Sequence, residues 1–175
     1  MLFHYRSHAP AVHPTAFVHP AATLIGEVSI GEHSSVWPNV SLRGDMAKIV
    51  IGSHTSIQDN TVGHTTGGLS ELHVGSRVTV GHGTILHGCL IGNDCLIGMG
   101  AIVMDNAVIP DWTLVGAGSL VPPDKKYPSG VLLLGRPAKV ARELTAEERV
   151  RITQSWKIYV ALAEEYAAAA SLPTG

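Results

Sequence analysis

Neutral imidazole is the commonest protein ligand for metals, and this 175-residue chain carries ten histidines. Three of them, His64, His82 and His87, each sit beside a glycine. Three neutral imidazoles and one open position make the donor set of a catalytic Zn²⁺, whose open position holds water with a pKa near ~7. Ten histidines also make chance proximity common, so the case rests on where the chain places these three. His4, His8, His13, His19, His33 and His54 read as exposed turn or terminal residues, and His73 as loop or site.

The positioning elements follow from a repeat. Aliphatic residues recur every sixth position at Val12, Val18, Leu24, Ile30, Val36 and Leu42, then at Ile51 and Ile57, with Gly63 holding the next mark. The series resumes at Val74, Val80 and Leu86 and continues through Ile91, Ile97, Val103, Ile109, Val115 and Val121. Four residues after a mark stands most often a small or β-branched residue, such as Ser34, Thr55, Val78 or Ala101. The position after a mark is often glycine, as at Gly31, Gly52, Gly75 and Gly98. A period of six fits neither a helix nor a long alternating strand. It predicts short strands joined by turns, with Gly and Asn supplying positive φ. Three strands per turn make the 18 hexads six triangular coils, stacked at ~4.8 Å. An interior so narrow has little room for rings, in keeping with 5% aromatic residues.

Three departures from the period, after Leu42, Gly63 and Leu86, all follow the third hexad of a coil. One corner of the prism therefore carries both insertions, Met46 to Val50 and Thr65 to His73, as a binding face would. His64 and His87 are each the second residue of a third hexad, so they stack at that corner about one strand spacing apart. His82 is the third residue of a second hexad and belongs to another corner, ~13 Å away along one strand. It reaches the pair only from an adjacent subunit, and a three-sided prism makes a closed trimer the natural ring.

The remaining composition narrows the field. The length suits one domain, 1–175, with the β-prism over 12–126, a connecting segment over 127–144 and a helix over 145–170. Thr145 and Glu148 form a capping box, and Ile152, Trp156, Tyr159, Ala163 and Tyr166 follow at helical spacing, an aromatic stripe that packs on the prism or a neighbour. The tail from Ser171 is expected to fray. Twelve Lys+Arg against 14 Asp+Glu, with no basic run, leave no footprint for nucleic acid. No apolar run approaches the ~20 residues of a membrane span. Two cysteines, Cys89 and Cys95, make no disulfide framework, and no leader pattern is visible, so the sequence reads as a cytoplasmic protein with reduced thiols.

At Arg43-Gly44-Asp45, Ile57-Gln58-Asp59-Asn60, Gly63-His64, Val80-Gly81-His82 and Leu86-His87-Gly88-Cys89 the chain resembles the γ-class carbonic anhydrases and their bacterial relatives in the hexapeptide-repeat superfamily. The resemblance implies a left-handed parallel β-helix, a hand that spacing does not give. It implies a homotrimer with Zn²⁺, Fe²⁺ or Co²⁺ at each interface, held by His64, His82 and His87, and reversible hydration of CO₂ to bicarbonate. Arg43 and Asp45 would pair across the interface, and Gln58 would hydrogen-bond near the metal's water. Active members of the family carry a Glu directly after the Arg-x-Asp motif and another in the loop after the first histidine. Here Met46 and Thr65-Thr66-Gly67-Gly68 stand there, leaving Glu71, His73 or Tyr159 to carry the proton. Two other functions fit the same sequence: a hexapeptide acyltransferase or thioesterase acting on a coenzyme A ester, and a non-catalytic module using its metal structurally.

Overall fold

A mark every sixth residue keeps pointing inward only if the chain turns a corner between marks, and the three columns of marks become three faces of parallel strands. In the first face Val12, Ile30, Ile51, Val74, Ile91 and Ile109 lie in register. In the second, Val18, Val36, Ile57, Val80, Ile97 and Val115 do so, and in the third Leu24, Leu42, Gly63, Leu86, Val103 and Val121. The computed structural model describes residues 1–170 as a left-handed β-helix followed by one helix. Leu2–Phe3 pairs above the first coil and Val131–Gly135 extends the second face, which brings the stack to about seven turns rather than six.

Every mark from Leu24 to Val121 is buried, and so are most of the small residues four places later, such as Ser34, Thr55, Thr84 and Ala101. Hydroxyls are tolerated there because they donate to carbonyls: Ser34 to Gly52 (2.6 Å), Thr55 to Gly75 (2.8 Å) and Thr84 to Gly81 (2.6 Å). Gly63 leaves its inward place to Leu72, a residue of the second insertion whose Cδ2 would lie 3.0 Å from a Cβ at that position. Cys89 and Cys95 are unpaired core residues, and burial pushes each thiol up to about 12.

The glycines after the marks have a different role from the one expected. None of Gly31, Gly52, Gly75 or Gly98 has positive φ. They permit coils to stack, since a Cβ on Gly31 would lie 2.7 Å from the Gly52 carbonyl carbon. The left-handed residue comes two places later, at Asn39, Asn60, Gly83, Gly100 and Gly118 and also at His33, His54 and Arg77. Gly98→Ala drives a methyl into the Ala117 backbone and is expected to cost about 1–3 kcal/mol in urea unfolding. Gly118→Asn, in open space at φ 66°, is expected to change stability by under about 1 kcal/mol.

The helix, Ala146–Ala170, starts as the sequence predicts. Thr145 Oγ1 accepts from Glu148 N (3.2 Å) and the Glu148 carboxylate accepts from Thr145 N (2.9 Å). Arg142 grips the same carboxylate through both Nη atoms and, with the Thr145 amide, holds it at about 2. The helix lies on the second face of its own prism, where Trp37 meets Tyr159 and Tyr166 at 5.9 and 5.3 Å between ring centroids. The segment 127–144 is more than a connection, because Ala138–Glu143 returns antiparallel along Val131–Gly135. His33 and His54, expected as plain turn residues, stack at 5.1 Å, and His54 meets Trp156 of the helix at 5.7 Å. The tail from Ser171 lies outside the described residues. Among the described residues no helix is long and apolar enough to cross a membrane.

Candidate metal centre

The third face contains the neighbouring strands Val62–His64 and Ile85–His87, which pair so that His64 stands opposite His87. Their rings are 5.2 Å apart between centroids, and His64 Nδ1 faces His87 Nε2 at 3.2 Å. This is the stacking that the hexad columns predict. His64 Nε2 lies 3.1 Å from Asp45 Oδ1, and His87 Nδ1 lies 3.0 Å from Asp105 Oδ2.

Those carboxylates decide where the ring protons sit. Partial burial pushes the Asp45 carboxyl up, but the Arg43 guanidinium and the His64 ring outweigh it and hold it below the usual range. Asp105 is likewise pushed up by burial and held low by Ser70, His87 and Thr66. An ionised carboxylate only accepts, so the facing nitrogens, His64 Nε2 and His87 Nδ1, must be the protonated ones. In neutral rings His64 Nδ1 and His87 Nε2 then turn lone pairs toward each other at 3.2 Å. That arrangement is unfavourable unless a shared proton or a metal cation lies between them. The spacing also fits two imidazoles on one ion, since Zn–N bonds of about 2.0–2.1 Å at a tetrahedral angle separate the nitrogens by about 3.3 Å.

His82 stands at the other end of the third face, in the turn after the second-face strand Thr79–Val80. Its Nδ1 lies 3.0 Å from Asp59 Oδ2, so this ring too has its own carboxylate and leaves Nε2 free. Gln58 is buried beside it, with Oε1 accepting from His82 N at 3.2 Å, and the Tyr159 hydroxyl hydrogen-bonds Gln58. Burial and the Asp59 charge raise the Tyr159 phenol against that hydrogen bond. Within one protomer, among the described residues, no three His, Cys, Asp or Glu side chains converge as a metal site. The three histidines thus stand at opposite edges of one face, His64 with His87 at one and His82 at the other, as the columns require.

Arg43 falls in the His64 column, and its Nη1 donates to Asp45 Oδ2 of its own strand at 2.6 Å. This contact lies within one protomer. Met46 lies against Gly67 of the second insertion, which puts an apolar thioether under the loop. His73 and Glu71 bond each other at 2.9 Å beside a cleft of about 840 Å³, and Lys48 reaches the same carboxylate. Asp59 and Asp105 as histidine partners went unread in the sequence, although Asp59 occupies His82's own hexad position one coil earlier.

The family described as bacterial transferase hexapeptide (six repeats) matches residues 88–123. Protein YrdA of Escherichia coli is 40% identical over 168 residues, covering 93% of this chain and 91% of its own. The mitochondrial γ carbonic anhydrase 2 of Arabidopsis thaliana is 44% identical over 164 residues, 91% of this chain. The chain belongs to the γ-carbonic-anhydrase-like family of hexapeptide-repeat proteins. It spans 59% of the length of that plant relative. A crystal structure of a hexapeptide transferase family protein from Anaplasma phagocytophilum superposes with a TM-score of 0.91 at 44% identity, covering 94% of this chain and 97% of that one.

Proposed function

We propose that this γ-carbonic-anhydrase-like protein is a metal-dependent enzyme that hydrates CO₂ reversibly, at centres shared between neighbours in a homotrimer. The observation that carries it is the His64–His87 pair, whose facing nitrogens are both left as acceptors by their carboxylates, with a third acid-paired histidine at the far edge of the same face. His64, His82 and His87 would hold Zn²⁺, Fe²⁺ or Co²⁺, all of which accept imidazole. When bound, such an ion supplies Lewis acidity that lowers the pKa of water to ~7. Asp45, Asp59 and Asp105 keep the three rings oriented and their inward nitrogens unprotonated. Arg43 fixes Asp45, and Gln58 with Tyr159 offers hydrogen-bonding groups beside His82. A reducing compartment such as the cytoplasm suits the two unpaired thiols.

Proton export is the slow step in this reading. Met46 and Thr65–Gly68 put no carboxylate beside His64, and Asp45, Asp59 and Asp105 are each already bonded to a histidine. Purified protein is expected to hold one metal per subunit and to hydrate CO₂ in stopped flow at a rate that climbs with imidazole buffer, because free buffer substitutes for the missing base. His82→Ala should lose the metal and keep the fold. A metal-loaded trimer without hydration above the buffer blank would refute the activity.

A second reading has one observation of its own. A cleft of about 440 Å³ runs from His82 and Gln58 past Leu96 and Leu114 to Arg151 of the helix, much larger than CO₂ requires. An acyl group fits those walls, and Arg151 suits an anionic carrier such as coenzyme A. Thioester hydrolysis or acyl transfer that survives complete chelation would favour it.

A further inference from the structure

Asp105 belongs to two neighbours at once. Its Oδ2 faces His87 Nδ1, and its Oδ1 takes the Ser70 hydroxyl at 2.5 Å. Ser70 Oγ accepts from Thr66 N at 3.2 Å, and Ser70 N donates to Thr66 O at 3.0 Å, which closes the tip of the insertion Thr65 to His73. The contact exists only because residue 88 is glycine. At Gly88 φ is +55°, and a Cβ there would collide with Ser70 Oγ and crowd Asp105 Oδ1 at 2.5 Å. The insertion, the coil that carries His87 and the coil below it therefore meet on one carboxylate.

We infer that Asp105 is the positioning residue of the histidine pair: it accepts a hydrogen bond from His87 Nδ1–H, leaving Nε2 as the ligand atom, and through Ser70 it sets the insertion against the same ring. The inference rests on His87 being a metal ligand, as proposed above. A free neutral histidine favours the proton on Nε2, the atom that must bind here. Without the carboxylate, binding must first move that proton, and the ring is free to turn. Losing such an outer partner typically weakens metal binding by about 10- to 100-fold.

Long-range ¹H–¹⁵N correlation on metal-stripped, ¹⁵N-labelled protein reads the tautomer of each ring directly. The wild type is expected to carry the His87 proton on Nδ1, and Asp105→Ala to move it to Nε2. Asp105→Ala should bind Zn²⁺ about 10- to 100-fold more weakly in competition with a chromophoric chelator. Asp105→Asn, whose amide oxygen still accepts, should recover most of that affinity, and Ser70→Ala should lose a smaller part. If Asp105→Ala fails to fold, the wild-type tautomer and the affinity lost in Ser70→Ala carry the test. A wild-type His87 with its proton on Nε2, or an Asp105→Ala variant that binds Zn²⁺ within twofold of wild type, would overturn the inference. Wild-type protein that binds no Zn²⁺ would sink the metal reading instead, while a proton that leaves Nδ1 in Asp105→Ala would still uphold the positioning role.

Discussion

Ile85→Glu is expected to leave the prism folded while turning the assembled protein into monomers that hold little metal. The two proposed half-sites stand at the two edges of the third face. If each protomer's His64–His87 corner meets the next one's His82 corner in a closed ring, that face is turned toward the axis. Its outward side chains Val62, Ile85, Ile102 and Leu120 lie in register down the stack. Val62 and Ile85 are 42% and 40% exposed in the single chain, an apolar stripe next to the proposed metal ligands. Fully burying a side chain of this size contributes about 1.5–3 kcal/mol, of which the 40% of Ile85 still exposed accounts for roughly 0.6–1.2 kcal/mol per protomer. Glutamate at 85 loses that and brings one like charge per protomer toward the axis. The fold is spared because the inward residue here is Leu86, not Ile85. Light scattering gives the mass and metal analysis the occupancy. Leu90→Glu, equally exposed but on the first face, should remain trimeric. A full-metal trimer carrying Ile85→Glu would remove the proposed ring.

Much of this architecture was legible because a prism converts sequence position into place. The hexad count put His64 over His87 and His82 at another corner, and Thr145 with Glu148 marked the helix start. The hand of the coil was not in the spacing, which is the same in either hand, and came from the family's motifs. The glycines were misassigned because a residue without a side chain can serve positive φ or close approach, and only the stacked backbones at Gly31 and Gly52 tell which. The Met46 to Val50 insertion read as a loop corner but continues the strand Ser41–Ile51 round it, with a register shift opposite Gly26 and Val28. Asp105 was missed for a different reason. It reaches His87 from one coil below and one place along, so only the diagonal neighbour, opposite Gly88, would have shown it.

The sharpest test of shared centres mixes two dead chains. His64→Ala keeps a sound His82 edge and His82→Ala keeps a sound His64–His87 edge, so either alone should assemble with no complete centre. Refolded together at equal amounts, three-quarters of the trimers contain both kinds, by random assembly. Going round any mixed ring, only one of its three interfaces takes its pair from a His82→Ala chain and its third histidine from a His64→Ala chain. Metal content should therefore rise from near zero in each parent to about a quarter of wild type, and any metal-dependent activity with it. A centre built within one protomer predicts no recovery at any mixing ratio. The two outcomes differ by the whole signal, because the edges of the third face hold His64 with His87 on one side and His82 on the other.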